Sequence, residues 1–163
     1  MSHYISQTLL WLFVVNLGVA YGAGLYEQRV VVPLWFERDA DARVRVNRDA
    51  MRATDPGRRF WAFVTTVPLT LLTIANLFAA WQAQPPRREW WLVAALVTLI
   101  ERIATFAYFI PTAARLMNSD AHASMNAEAT AVRWMQLDHV RTTLNLLAWL
   151  AALAALGSSG GRA

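Results

Sequence analysis

Glu27, Arg29, Glu101, Arg102, Asp138, His139 and Arg141 interrupt stretches of sequence that are otherwise apolar. An arginine or aspartate at the centre of a bilayer costs about 2.5–3.5 kcal/mol even on the lenient insertion scale, so each such group needs a partner. Three carboxylates, Glu27, Glu101 and Asp138, stand against three guanidiniums, Arg29, Arg102 and Arg141, and the set is expected to form one buried, balanced cluster. The plain reading is a set of ion pairs that fixes helix register. The chemical reading is a pocket in which guanidinium forks hold an enolate, phenolate, carboxylate or quinone oxygen. Glu101 and His139 are then the expected catalytic residues, moving a proton to or from the substrate. Arg141, Arg102, Arg29, Asp138, Glu27, Tyr108 and Asn145 are the expected substrate-binding residues, with Tyr21 and Tyr26 as further donors.

Periodicity says which way these groups point. Thr98, Glu101, Thr105, Tyr108 and Thr112 follow 3, 4, 3, 4 spacing and share one helical face, which must look inward. Glu101 lies about 16 Å along a helix from Trp90, near the midplane of a bilayer. Asp138, Thr142, Asn145 and Trp149 form a similar stripe, with Arg141 and His139 on its two flanks. Earlier in the chain Asn16, Ala20, Ala23 and Glu27 align, whereas Arg29 shares a face with Gly22. Thr66, Thr70 and Thr73 make a fourth polar stripe, with Thr65 and Asn76 beside it.

The elements that must carry these stripes are membrane spans. Of 163 residues, 56% are hydrophobic and only 16% charged, and eight are tryptophan, a balance that fits lipid as the solvent. A crossing helix needs about 20 apolar residues, and four runs qualify, near Thr8–Phe36, Phe60–Gln82, Trp90–Leu116 and Trp134–Leu156. The first is long enough to continue past Tyr26 into the interface or to tilt. It carries no arginine or lysine before Arg29, which argues for a retained span over a cleaved signal peptide. The short connections favour antiparallel neighbours, so the expected fold is all-α, one transmembrane domain built as an up-down four-helix bundle.

Charge placement orients the bundle and excludes several function classes. The net charge is +4, and every basic residue is arginine. The arginines sit in loops instead of along one basic, aromatic-studded stripe, so no nucleic-acid partner is expected. Nine of them, from Arg38 to Arg59 with Arg115 and Arg133, lie opposite the N-terminus, and three, Arg87, Arg88 and Arg162, lie with it. The positive-inside rule then predicts both termini outside and loop 37–59 in the cytoplasm, in a bacterial inner membrane. Trp61, Trp81, Trp90, Trp91 and Trp134 fall at span ends, where indoles suit the headgroup layer. Within the first loop Ala40, Val44 and Met51 recur at helical spacing, so either a short interfacial helix or a solvated loop is expected there, ending at the turn Asp55-Pro56-Gly57. The stretch from Asn118 to Glu128 has room for a further helical turn, and the tail Gly157–Gly161 is expected to be flexible. Gly18 and Gly22 form a GxxxG helix contact, and Pro68 predicts a kink.

Cofactor signals are thin. With no cysteine there is no disulfide, thiolate nucleophile or Fe–S cluster. A metal centre of Glu27, Glu101 and His139 is a weaker alternative that lacks the Glu-x-x-His pairs of carboxylate bundles, and no second histidine lies within a span to complete a haem site. Dinucleotide, Walker and Ser-His-Asp patterns are missing, so no cofactor is expected.

Three motifs carry a resemblance. The glycine-rich first span runs into Val32-Pro33-Leu34-Trp35-Phe36, the third ends in Tyr108-Phe109-Ile110-Pro111, and the fourth opens with Asp138-His139-Val140-Arg141. In this order, over nearly the whole chain, the sequence resembles a family of small four-span membrane proteins of unknown function that includes the fungal anthrone oxygenases. Where that family places asparagine two residues after the third-span proline, this chain has Ala113; where it often has histidine or asparagine three residues before the arginine, this chain has Asp138. The resemblance implies a four-helix bundle and oxygenation of a polyphenolic, anthrone-like substrate without an obvious cofactor. The expected function is therefore a small integral-membrane oxidoreductase acting on a hydrophobic aromatic ketone or quinol taken from the lipid bilayer. The alternative is a non-enzymatic accessory or transport subunit whose charges serve assembly or proton coupling. A homo-oligomer stays open.

Overall fold

A computed structural model of the chain describes residues 3–40, 43–118 and 124–158. Helix α1 (His3–Tyr26) passes through a wide turn, π1 (Glu27–Val31), into α2 (Val32–Trp35). A two-stranded hairpin, β1 (Phe36–Arg38) and β2 (Val44–Val46), leads to α3 (Arg48–Thr54). The second span is π2 (Gly57–Thr66) with α4 (Val67–Trp81), the third is α5 (Arg87–Ala104), π3 (Thr105–Phe109) and α6 (Ile110–Asn118), and the fourth is α7 (Ser124–Gly157). Residues 119–123, His122 among them, and the tail beyond Ser158 with Arg162, lie outside the described residues.

Four helical runs, Tyr4–Trp35, Gly57–Trp81, Arg87–Asn118 and Ala127–Gly157, are long and apolar enough to cross a membrane. They pack in a ring, each against the spans before and after it, with the fourth closing on the first. The order is antiparallel throughout: Asn16 reaches Val64 while Asn76 reaches Leu9, and Gln28 reaches Asp138 while Gly18 lies against Trp149. Leu10, Phe13, Leu17, Leu69, Trp91 and Ala152 fill the core nearer the termini. Large side chains such as Trp11, Leu71, Phe78, Ile100, Ile103 and Leu147 stand exposed around the outside. A soluble monomer rarely leaves so continuous an apolar belt uncovered, and this is an integral membrane protein with lipid-facing helices.

Several expectations change on contact with the structure. Where a helix through Ala40, Val44 and Met51 or a solvated loop is expected, a hairpin pairs Phe36 with Val46 and Arg38 with Val44. Val44 and Met51 still point inward, but from a strand and from the separate helix α3, which Asn47 starts by accepting the Ala50 N–H at 3.0 Å. The glycine contact also shifts. A Cβ on Gly18 would stand 3.2 Å from Trp149 and one on Gly24 3.6 Å from Thr142, whereas Gly22 has nothing within 4 Å. Fourth-span packing therefore rests on Gly18 and Gly24, not on the GxxxG pair. Trp81 and Trp90 are exposed near the turn between the second and third spans, as interfacial indoles should be. Trp91 and Trp134 are buried and Trp61 faces inward, because each has a polar partner inside the bundle: Asn76 Oδ1, Phe109 O and Glu27 Oε1.

Candidate functional site

Three of the four spans loosen at the end of the bundle that carries the hairpin. Each wide segment is followed two residues later by a proline: Pro33 after π1, Pro68 after π2 and Pro111 after π3. A proline ring cannot donate to the carbonyl four residues earlier and clashes with it, so the ladder opens on its N-terminal side. At Val64, four before Pro68, the carbonyl accepts Asn16 Nδ2 at 3.0 Å instead. Wide turns inside helices recur at functional sites, and here each delivers a polar or aromatic wall residue: Glu27 from π1, Trp61 and Thr65 from π2, Thr105 and Phe109 from π3.

These walls enclose a cavity of about 540 Å³. Trp35, Met51 and Trp134 close its hairpin end, and Trp35, Phe36, Phe109 and Trp134 stack there with ring centres 5.9–6.4 Å apart. Trp35 is fixed by its indole N–H donating to Thr54 Oγ1 at 2.8 Å. Ala20, Tyr21, Gly24 and Asn145 line the deep end. The second and third spans pack together along α4 and α5, but between π2 and α6 the cavity separates them, with Ala62 and Thr66 on one side and Ile110, Ala113 and Ala114 on the other. Ile110 is both a lining residue and about half exposed, so the cavity reaches the lipid-facing surface at this gap.

The charged groups pair unequally. Arg102 Nε and Nη2 donate to the two carboxylate oxygens of Glu101 at 2.6 Å each, and Thr105 Oγ1 adds a third contact at 3.2 Å. Asp138, almost fully buried, meets Arg141 Nη2 at 2.6 Å and accepts Gln28 Nε2 at 2.9 Å. Glu27 has less: Trp61 Nε1 donates to Oε1 at 2.8 Å, while Arg141 Nη2 stands 3.5 Å from Oε2. Both ion pairs of Arg141 run through Nη2, and its guanidinium lies over the Phe109 ring at 4.7 Å. Among the described residues, Asn145 Oδ1 is buried with no hydrogen-bond partner.

Most of the expected residues converge and some do not. Glu27, Glu101, Arg102, Arg141 and Asn145 line the cavity, and Asp138 sits behind Arg141. Arg29 and His139 are exposed, which corrects the expectation of a balanced buried cluster containing both. Arg29 lies two residues beyond Glu27 in a wide turn, nearly half a revolution away, and His139 is rotated about 100° from Asp138. The grouping of Glu27, Glu101 and His139 is therefore not formed, and among the described residues no three ligands gather as a metal site. Tyr108 lies outside the cavity and Phe109 takes its place, because π3 holds more residues per turn and shifts the inward phase from Tyr108 to Phe109. Tyr21 lines the cavity, and Tyr26 is exposed. Two partners escaped the sequence reading, Gln28 and Trp61; the first had a signal, an amide beside Glu27 in an apolar run, and the second was masked by its place at a span end.

The chain matches no family model, no curated protein and no solved structure.

Proposed function

We propose that the protein is a small integral-membrane oxidoreductase that takes a lipid-soluble aromatic ketone or quinol from the bilayer through the gap between π2 and α6. The observation that supports this most is Glu27, a lining carboxylate whose ion pair with Arg141 is long, 3.5 Å against 2.6 Å for Asp138, beside an Arg141 that commits only one nitrogen to its ion pairs. A base must reach its proton and an oxyanion needs free donors, and this pair offers both. Glu101, with both oxygens held by Arg102, is the less accessible base.

For an anthrone-like ketone, Glu27 removes a proton from the methylene carbon, and Arg141 Nη1 or Nε holds the enolate oxygen. Dioxygen adds to the electron-rich carbon as the oxidant. Loss of the second methylene proton breaks the O–O bond, so the CH2 becomes C=O, the carbon gives up four electrons and one oxygen atom leaves as water. The likeness in motif order to the anthrone oxygenase family agrees with this reading and carries none of it. We also place the hairpin end in the cytoplasm of a bacterial inner membrane, on the nine-to-three arginine asymmetry.

One observation favours a second reading, an accessory or transport subunit: Glu101 and Arg102 satisfy each other through both carboxylate oxygens, as groups that only hold helices together would. Oxygen uptake with an anthrone in detergent decides between them. Glu27→Gln keeps an acceptor for Trp61 and is expected to lower kcat by roughly 10²–10⁴ while unfolding as the wild type does. Wild-type protein that consumes no oxygen, or a variant that turns over unchanged, sinks the oxidoreductase reading.

A further inference from the structure

The charges around the cavity do not cancel. Glu27, Asp55 and Glu101 line it and Asp138 stands directly behind, against Arg58, Arg102 and Arg141. Arg102 is consumed by Glu101, Arg141 prefers Asp138 at 2.6 Å over Glu27 at 3.5 Å, and Asp55 and Arg58, neighbours of opposite charge at the mouth, cancel in the count. Arg29, Arg59, Arg115, Arg133 and His139, other basic groups close to lining residues in sequence, are exposed. One negative charge, centred on Glu27, is left over in a water-poor site, where charge without a partner is costly.

A second, independent feature points the same way. Asn145 is only 7% exposed, lines the cavity, and among the described residues presents Oδ1 as an acceptor with nothing donated to it. The walls between Asn145 and Glu27 are aromatic: Tyr21, Trp61 and Phe109, the last already carrying a cation on its face in Arg141. Surplus negative charge, an idle acceptor and ring faces together are the chemistry that recognises an organic cation.

We propose that the cavity binds lipophilic aromatic cations, flat ammonium or pyridinium compounds, with their charge set against Glu27. This rests on the cavity admitting ligands from the bilayer, as the oxidoreductase reading does, but not on that reading's chemistry. A volume of about 540 Å³ accommodates two linked aromatic rings.

The test compares N-methyl-4-phenylpyridinium with its uncharged isostere 4-methylbiphenyl on detergent-purified full-length protein, with binding read by tryptophan fluorescence quenching. Each ligand is compared between proteins, so that micelle partitioning cancels. Glu27→Gln should weaken the cation at least tenfold and change the neutral ligand less than twofold. Should that variant fail to fold, Ala62→Lys adds the missing positive charge at the lining and should give the same split, with Ala62→Met as the size control. If neither substitution separates the two ligands, the cation proposal is overturned and the oxidoreductase reading stands. If the wild type binds neither ligand, the cation proposal falls as well, while oxygen uptake with an anthrone still decides the oxidoreductase reading.

Discussion

Glu101 and Arg102, consecutive residues of α5, close a two-bonded ion pair on their own helix, at 2.6 Å through each carboxylate oxygen. Adjacent residues on a helix point about 100° apart, so the pair forms only because both side chains bend toward the same cavity wall. Removing one partner of a buried pair costs more than removing both, since the survivor is left as an uncompensated charge. Glu101→Gln is thus expected to lower stability by about 3–5 kcal/mol. The double variant Glu101→Gln, Arg102→Met should recover most of that. Unfolding in detergent measures it; a Glu101→Gln protein that melts with the wild type but has lost turnover would make Glu101 the base instead of Glu27.

Gly18 and Gly22 separate packing from motif. A side chain at Gly18 would push into Trp149, whereas one at Gly22 meets nothing. Gly18→Val is expected to destabilise by about 1–3 kcal/mol through overpacking against the fourth span. Gly22→Ala should be neutral or stabilising by no more than about 1 kcal/mol, from helix propensity. The reverse order, read from unfolding midpoints, would restore GxxxG as the contact.

The spans and their inward faces could be read from the sequence because apolar length and a period of 3.6 decide them, and Glu101, Thr105, Asp138, Thr142 and Asn145 are where that period puts them. Reading failed where the period itself changes. The wide segment π3 exchanges Phe109 for Tyr108, and an i→i+5 turn leaves no residue pattern that a 3.6 count can detect; Arg29, two residues from Glu27, already points about 160° away from it on a regular helix. The only trace of such a turn was a proline two residues downstream, seen at Pro68 as a kink without its consequence for phase. The difference between Arg141 and His139 was within reach: Arg141 lies about 60° from Asp138 around the helix and His139 about 100°, so only Arg141 shares its inward face. The hairpin was hidden because its strands are three residues each, too short for alternation to speak.

The orientation of the bundle is open to direct labelling, since the chain has no cysteine to interfere. With the hairpin end in the cytoplasm, Ala53→Cys on exposed α3 should resist a membrane-impermeant maleimide in intact cells and react after lysis, while Ser158→Cys should react in both. Labelling in the opposite order would invert the topology drawn from the arginine count.

The gap between the second and third spans makes the last prediction, because a substrate that arrives from lipid must pass Ala62 and Thr66 on one side and Ile110 and Ala113 on the other. Ala113 is partly buried at this gap and is distant in sequence from Glu27 and Arg141, so enlarging it should obstruct passage without touching the proton-transfer pair. Ala113→Phe is therefore expected to raise KM, or lower kcat/KM, by roughly 10-fold or more, leaving kcat at saturation and the unfolding midpoint close to wild type. A passage through the polar mouth at Asp55 and Arg58 would respond differently: Ala113→Phe would leave KM unchanged, and bulk introduced at Gly57 would raise it. Measured side by side on one substrate, the two variants assign the route, and a route through the mouth would mean that the lipid phase is where the protein sits but not where its ligand comes from.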